Sequence, residues 1–203
     1  MRIGIYGGTF DPIHHGHLAL AEQCREQCGL DQVWFVPAAQ PPHKLNSPIS
    51  SAAARRDMVE FAIAGNQAFR LCTVELERSG PSFTVTTLQQ LQAASPDDEL
   101  FLLIGADSLR DLPHWREPGQ ILELATIVAV NRGDRPLPDR SALRSLCGPT
   151  ADTRILTVAM PGIDLSSTDI RDRVSKHKTI RYFVPRAVEM YIAEQRLYRD
   201  AGP

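Results

Sequence analysis

Hydrophobic and polar positions divide the chain into short apolar runs and longer segments with helical spacing. The runs are almost continuous, which is typical of β-strands covered on both faces. Gly7 and Gly8 follow the first run, and Pro37 ends the second. The predicted strands are Met1–Tyr6, Gln32–Pro37, Arg70–Leu76, Glu99–Asp107, Ala125–Gly133 and Arg154–Met160.

Between these runs, apolar residues recur at the spacing of an amphipathic helix. The segment from Gly16 shows this spacing and stops at Gly29, a residue that often ends helices. Further helices are predicted over Ala52–Ala64, from a cap at Ser82 or Thr84 to Ala94, and over Thr168–Ser175 and Pro185–Gln195. Strands that alternate with helices predict an α/β, Rossmann-like, doubly wound fold, with a mainly parallel sheet flanked by helices.

The length of 203 residues suits one domain, so residues 1–203 are expected to form a single domain. Its C-terminal helical segment would cover about residues 166–200. The most loop-like internal segment is Gln40–Ser51, whose prolines and serines predict an exposed flap.

The formal net charge is -2, which gives no general attraction for nucleic acid or for an anionic membrane. No apolar run approaches the roughly 20 residues of a membrane helix, and the N-terminus lacks the apolar core of a signal peptide. We therefore expect a cytoplasmic protein. The four cysteines are expected to be reduced thiols that are partly buried.

The first strand leads into GGTFDPIHHGH, which runs from Gly7 to His17. Ligands bind at the carboxyl ends of parallel strands, and glycines let the backbone approach a phosphate closely. The helix that follows points its N-terminal amides and partial positive charge at the same place. His14 and His17 lie one helical turn apart there and can donate hydrogen bonds to phosphate oxygens. This stretch predicts a phosphate cradle.

Other interpretations of this stretch are less well supported. It is neither a G-x-G-x-x-G fingerprint nor a P-loop. A zinc site built from His14, His15 and His17 is an alternative, but H-E-x-x-H is absent and the next carboxylate is Glu22. The histidines could also simply cap the helix.

A second motif, LSSTDIR, covers Leu165–Arg171. Ser167 and Thr168 offer hydroxyls and amides at a helix start, and Arg171 lies one turn further on. The alternative interpretation is an ordinary N-cap. Beside the first cradle, we interpret this motif as a second one.

Both motifs resemble signatures of the nucleotidyltransferase superfamily with the H-x-G-H motif, here His14–His17, whose second signature reads I-S-S-T-x-I-R. Further stretches resemble the bacterial nicotinate-nucleotide adenylyltransferase family, so that the resemblance spans nearly the whole chain. These stretches are PPHK (Pro41–Lys44), PSFTVTTL (Pro81–Leu88), IGADSLRDLPHW (Ile104–Trp115) and IRYFVPRAVEMYIAEQRLY near the C-terminus.

The resemblance implies transfer of AMP from ATP to nicotinate mononucleotide, with Mg²⁺ carried by the ATP phosphates and no metal site of the protein's own. The catalytic residues implied are His14, His17 and Arg171. The ATP-binding residues implied are Gly7, Gly8, Thr9, Phe10, Lys44, Gly105, Asp107, Ser167 and Thr168. The acceptor-binding residues implied are Thr84, Trp115 and Arg116. Trp115 also offers an aromatic plate on which a pyridine ring could stack.

The chain departs from the family pattern at three points. Phe83 stands where the family often has tyrosine, Arg116 occupies a variable position, and the usual glycine is missing from Lys176–Thr179. These departures affect the details of binding rather than the reaction.

Several alternatives stay open from the sequence. The acceptor could be nicotinamide mononucleotide or phosphopantetheine, and a non-catalytic ATP-sensing module is the rival outside enzymes. A class I aminoacyl-tRNA synthetase would need a far longer chain and a basic surface. The expected partners are therefore ATP and nicotinate mononucleotide, without nucleic acid or membrane, and with a homo-oligomer left open.

Overall fold

Parallel strands form the central sheet in a computed structural model that describes residues 1–41, 49–132 and 141–199. Within these residues the strands are β1 (Arg2–Gly8), β2 (Gln32–Pro37), β3 (Phe69–Leu71), β4 (Glu99–Gly105), β5 (Ala125–Arg132) and β6 (Ile155–Met160). They lie in the order β3-β2-β1-β4-β5-β6, and every neighbouring pair is parallel. This order is that of a doubly wound Rossmann-like sheet, so the fold predicted from the sequence is confirmed.

The chain reverses its winding direction between β1 and β4, which are neighbours in the sheet. At such a switch point, the loops after the two strands diverge and leave a crevice outside their carboxyl ends. Gly7 and Gly8 end β1, and Gly105 ends β4. The predicted ATP-binding residues Gly7, Gly8 and Gly105 therefore lie at this crevice.

Helices cover both faces of the sheet. Those that the described residues form are α1 (His15–Gln27), α2 (Ala52–Ile63), α3 (Thr84–Ala94), α4 (Ala106–Asp111), α5 (Pro118–Leu124), α6 (Ser141–Cys147), α7 (Thr150–Thr153), α8 (Ser167–Ser175) and α9 (Arg186–Glu194). Side chains of β4 alternate between the two cores. Phe101 and Leu103 pack with α1, α2, α8 and α9, whereas Leu100, Leu102 and Ile104 pack with the helices on the other face.

Some boundaries differ from the sequence-based expectation. The strand expected over Arg70–Leu76 ends at Leu71, because Thr73 to Leu76 form a turn in which the Leu76 N–H donates to the Thr73 carbonyl at 2.8 Å. The short helices α4 to α7 were not predicted, since they lack the length that makes a helical period visible. The prediction that Ser82 or Thr84 caps α3 is wrong, because Phe83 occupies that position.

Arg55 on α2 holds the loops at the carboxyl ends of β1 and β2 together. Its side chain is 1% exposed. It donates hydrogen bonds to the main-chain oxygens of Ser50 (3.1 Å), Thr9 (2.9 Å), Ala38 (2.7 Å) and Ala39 (3.3 Å). One guanidinium thus provides hydrogen-bond donors to carbonyls of three loop segments.

Asp11 forms a second buried junction in the loop after β1. It accepts hydrogen bonds from the Tyr198 hydroxyl at 2.6 Å and the Ser50 N–H at 3.2 Å, while Arg171 donates to its main-chain oxygen at 2.8 Å. Burial, and next the Asp11 carboxylate, raise the pKa of Tyr198, which keeps its hydroxyl protonated as a donor. Burial lowers the pKa of Arg55, and the nearby Asp11 charge opposes this effect.

The four cysteines are free, with Cys24 buried in the core and the others partly exposed. Burial raises the pKa of the Cys24 thiol to about 12. Among the described residues, no helix combines the length and the apolar character needed to span a membrane.

Replacing Arg55 tests whether this junction supports the fold. We expect Arg55→Met to lower the free energy of unfolding by about 3 kcal/mol, because several buried carbonyls lose their donor. Arg56, the exposed neighbour whose ion pair is with Asp57, provides the matched control, and Arg56→Met should change stability by less than about 0.5 kcal/mol. Urea unfolding of both variants measures the difference, and equal stabilities would contradict the assignment.

Candidate active site

Strand β1 ends in two glycines with different surroundings. A Cβ at Gly8 would lie 2.8 Å from the Phe10 ring, so only glycine fits there. A Cβ at Gly7 would meet nothing within 4 Å. Phe10 has a φ of 50° and its side chain is 2% exposed, packed against Tyr6 and Phe35. The Phe10 ring therefore supports the loop from the core, and only its backbone could reach a nucleotide.

The two histidines of the H-x-G-H motif stack on each other at the start of α1. Their ring centroids are 3.7 Å apart, and the His14 N–H donates to Nδ1 of His17 at 3.2 Å. A Cβ at Gly16 would come within 3.1 Å of the His14 ring, so the glycine makes room for this stack. His14 is 3% exposed, while His17 is partly exposed. Since Nδ1 of His17 accepts a hydrogen bond, its neutral imidazole carries the proton on Nε2.

The zinc site considered from the sequence would need His14, His15 and His17 to point at one ion. Instead, the rings of His14 and His17 stack with their planes 26° apart, and His15 is exposed. Within the part of the chain that the structure describes, no group of three or more His, Cys, Asp or Glu residues could hold a metal ion.

The second motif lies directly against the loop after β1. The Ser167 hydroxyl donates to the Pro12 carbonyl at 2.9 Å. Arg171, besides its bond to the Asp11 main chain, lies 3.3 Å from the Thr168 hydroxyl. Ser166 serves as the N-cap of α8, where its Oγ accepts from the Asp169 N–H at 3.0 Å. The N-cap interpretation thus applies to Ser166, and the other residues of the motif bring α8 to the loop.

A cavity of about 480 Å³ opens beside Gly7 and Gly8 at the carboxyl ends of the strands. The predicted site residues that line it are Gly7, Gly8, Thr9, Thr84, Trp115 and Arg116. The N-terminus of α3 forms part of its wall, and no side chain caps that helix start. Its first amides are consequently available for a ligand.

A second cavity of about 330 Å³ lies next to the first and contains Gly105 and Asp107. The two cavities share the lining residues Gly7, Leu103, Ile104, Ser108 and Trp115. Asp107 is not the N-cap of α4, a position held by Gly105, and its side chain is 85% exposed, 3.6 Å from Arg110. Because the two cavities share lining residues, one elongated ligand or two ligands in contact could occupy both cavities at once.

Trp115 follows a short 3₁₀ turn, Leu112–His114, and its N–H closes that turn on the Leu112 carbonyl at 3.0 Å. Its side chain is partly buried against the core. The Arg116 guanidinium stacks 4.9 Å from the centroid of the Phe83 ring, so it bridges to the segment that starts α3. All three residues expected at the acceptor end, Thr84 included, thus line the larger cavity.

Not every predicted site residue lines one of these two cavities. His14, His17, Ser167, Thr168 and Arg171 form a neighbouring cluster around the loop after β1. Lys44 lies outside the described residues.

Sequence reasoning missed several buried polar residues around the site. Arg55 and Asp11 were not singled out, because nothing in a single sequence distinguishes a buried arginine on a helix from an exposed one. Glu75 and Thr87 line the larger cavity, and their hydroxyl–carboxylate hydrogen bond measures 2.5 Å. Glu75 was overlooked because its segment was interpreted as a strand.

Comparison with known proteins agrees with this geometry. The cytidylyltransferase-like family matches residues 5–173. A relative from Thermomicrobium roseum, named a probable nicotinate-nucleotide adenylyltransferase, is 45% identical over 198 residues, covering 98% of this chain and 92% of that protein. One of the same name from Thermus thermophilus is 44% identical over 199 residues, covering 98% of this chain and all of that protein.

The fold is also found among solved structures. Nicotinic acid mononucleotide adenylyltransferase from Plasmodium falciparum, complexed with NaAD, superposes with a TM-score of 0.79 at 20% identity, over 97% of each chain. The chain therefore belongs to the cytidylyltransferase-like family and, as a nucleotidyltransferase, to its nicotinate-nucleotide adenylyltransferase group.

Proposed function

We propose that the protein transfers AMP from ATP to nicotinate mononucleotide, giving deamido-NAD and pyrophosphate in NAD biosynthesis. The observation that carries this proposal is the pair of adjoining cavities at the switch point of the sheet, which share Gly7 and Trp115. The stacked His14 and His17 lie beside them at a helix start. Two nucleotides could meet there with their phosphates at the loop after β1. In this proposal, residues 1–203 act as one domain.

ATP would occupy the smaller cavity with its ribose near Gly105 and Asp107. The exposed Asp107 carboxylate can accept hydrogen bonds from ribose hydroxyls. The triphosphate would then extend over Gly7, Gly8 and Thr9 towards the N-terminus of α1, whose partial positive charge favours phosphate.

Nicotinate mononucleotide would occupy the larger cavity. Its pyridine ring would stack on Trp115, and its carboxylate would meet the uncapped N-terminus of α3 at Thr84. Arg116 would add positive charge at the same end. The 5′-phosphate would then face the ATP phosphates.

The reaction would be an in-line substitution at the α-phosphorus of ATP. A phosphate oxygen of nicotinate mononucleotide forms the new P–O bond, and the bond to the β-phosphate bridging oxygen breaks, so that pyrophosphate leaves. The nucleophile is already an anion, so the reaction needs no general base and forms no covalent enzyme intermediate. The tasks of the protein are positioning and charge stabilisation.

Different residues around the loop after β1 would hold the different phosphates. His14 and the Nε2 proton of His17 would stabilise charge on the transferring phosphate, and Thr9 would orient the incoming one. Ser167, Thr168 and Arg171 would hold the departing β- and γ-phosphates, with Lys44 closing over them. The hydrogen bond from Arg171 to the Asp11 main chain places that guanidinium beside the loop in advance.

Mg²⁺ would enter with ATP. Phosphate oxygens and water would be its main ligands, as the sequence resemblance implies. The bound ion would neutralise part of the triphosphate charge.

The reaction is tested by measuring pyrophosphate release from Mg-ATP with nicotinate mononucleotide, nicotinamide mononucleotide and phosphopantetheine in parallel, with the products identified. Turnover mainly with nicotinate mononucleotide is expected. Turnover mainly with another acceptor would identify the protein as a different adenylyltransferase. ATP binding without any turnover would identify it as an ATP-sensing module.

His17 should be essential for turnover. We expect His17→Ala to lower kcat by about a hundredfold or more, the scale of losing one transition-state donor, with little loss of folded protein. His17→Asn offers an oxygen that can still accept from the His14 N–H, so an equal loss there would separate catalysis from helix capping. His15, which is exposed, is the control, and His15→Ala should stay within about twofold. A near-normal kcat for His17→Ala would overturn the role.

Trp115 should contribute to acceptor binding. We expect Trp115→Ala to raise KM for nicotinate mononucleotide about tenfold through loss of ring stacking, while Trp115→Phe keeps a smaller aromatic plate and loses less. Because Trp115 lines both cavities, KM for ATP is measured alongside and should change less. A rise in KM for ATP alone would instead assign Trp115 to the ATP end.

A further inference from the structure

An acid–base pair with little exposure to solvent lies at the larger cavity, with Glu75 in the cavity wall and Arg78 behind it. The side chains of Glu75 and Arg78 are 8% and 14% exposed, and Nη2 of Arg78 lies 3.8 Å from Oε1 of Glu75. Thr87 connects them, since its hydroxyl donates to the Glu75 carboxylate and accepts from Arg78 at 2.9 Å. Two opposite charges are thus removed from water beside a cavity that is expected to receive a charged ligand.

Arg78 is attached to the first turn of α3. Besides Thr87, it donates to the Phe83 carbonyl at 3.3 Å and to Oε1 of Gln90 at 2.7 Å. Phe83 is the N-cap of α3 and lines the cavity. The positive charge of Arg78 therefore lies directly behind the uncapped helix start.

Glu75 has the opposite electrostatic effect from a position closer to the ligand. Its side chain lines the cavity, whereas Arg78 does not. The hydrogen bond from Thr87 and the ion pair with Arg78 both involve Oε1 of Glu75. A carboxylate in the cavity would be repelled by Glu75 and attracted by Arg78, and these effects are little screened where water is excluded.

The acid and amide forms of a pyridine mononucleotide have nearly the same size and the same cationic ring. They differ by one negative charge on the ring substituent. A fixed charge in the wall therefore changes the ratio of their kcat/KM values, whereas a general loss of shape or stability lowers both values together.

We propose that the Glu75–Arg78 pair sets how strongly the enzyme prefers the acid acceptor over the amide acceptor. Arg78 favours the acid and Glu75 limits that preference, so the pair adjusts the selectivity beyond what the α3 N-terminus and Arg116 provide. This proposal rests on the proposed function, because it requires a pyridine mononucleotide in the larger cavity.

Neutralising each member in turn tests the balance, with kcat/KM measured for nicotinate and nicotinamide mononucleotides. Glu75→Gln should raise the acid-to-amide ratio about threefold or more, and Arg78→Gln should lower it by a similar factor. In the double variant the acid-to-amide ratio should lie close to the wild-type value. Arg78→Lys keeps the positive charge and should also have a ratio close to that of the wild type. Glu77→Gln is the matched control, because Glu77 lies two residues from Glu75 and does not line this cavity.

Folding is checked by circular dichroism and urea unfolding. In Glu75→Gln the side-chain amide oxygen can still accept a hydrogen bond from the Thr87 hydroxyl, so this variant keeps that contact. If Arg78→Gln does not fold, Arg78→Met keeps the aliphatic stem and carries the same expectation.

The outcomes separate this proposal from the proposed function. Wild-type turnover with opposite shifts in the two single variants supports both. Wild-type turnover with equal losses for the two acceptors, or with shifts in the same direction, overturns the selectivity role and leaves the reaction intact. Wild-type protein that uses neither pyridine mononucleotide overturns the reaction and the selectivity role together.

Discussion

The site depends on the way one buried guanidinium joins three stretches of backbone. Arg55 ties the loop after β1 to the loop after β2 and to the start of α2 through carbonyl oxygens alone. A parallel sheet brings the ends of its strands to one edge but does not fix the loops that leave them. The donors of an arginine, held in a planar fork, do fix them, because a buried guanidinium needs hydrogen-bond acceptors and finds them in these carbonyls.

On this support, side chains at the site are placed by packing more than by charge. The Phe10 ring fills the space that a Cβ at Gly8 would need, and it also meets the His17 ring with 5.2 Å between centroids. The hydrophobic core thus packs directly against His17, the histidine expected to donate a hydrogen bond to a phosphate. In a chain with a net charge of -2, such local placement has to supply the attraction for anionic ligands.

The sequence predicted the parts of the molecule that follow from short-range rules. Strands buried on both faces leave continuous apolar runs, so β1, β2, β4 and β5 were found close to their bounds. The strand at Arg70 was made too long, because its apolar residues continue into a turn that packs against the core. The motif residues gathered near one loop as expected, whereas the stacking of His14 on His17 depends on the glycine between them and on ring packing. Arg55, Asp11 and Glu75 take their importance from partners far along the chain, which no local pattern records.

The hydrogen bonds at Asp11 also determine when the loop after β1 can be completed during synthesis of the chain. The loop after β1 leaves the ribosome early, yet its hydrogen bonds to Arg171 and Tyr198 join residues 160 and 187 positions apart. Two of the contacts that hold this loop therefore form only after almost all of the sheet has been synthesised. During translation the nascent chain can assemble strands and helices in sequence, but the contacts of the loop after β1 stay incomplete until residue 198 has emerged. The loop after β1 consequently acquires these two hydrogen bonds late in synthesis, after the strands that it connects to have been made.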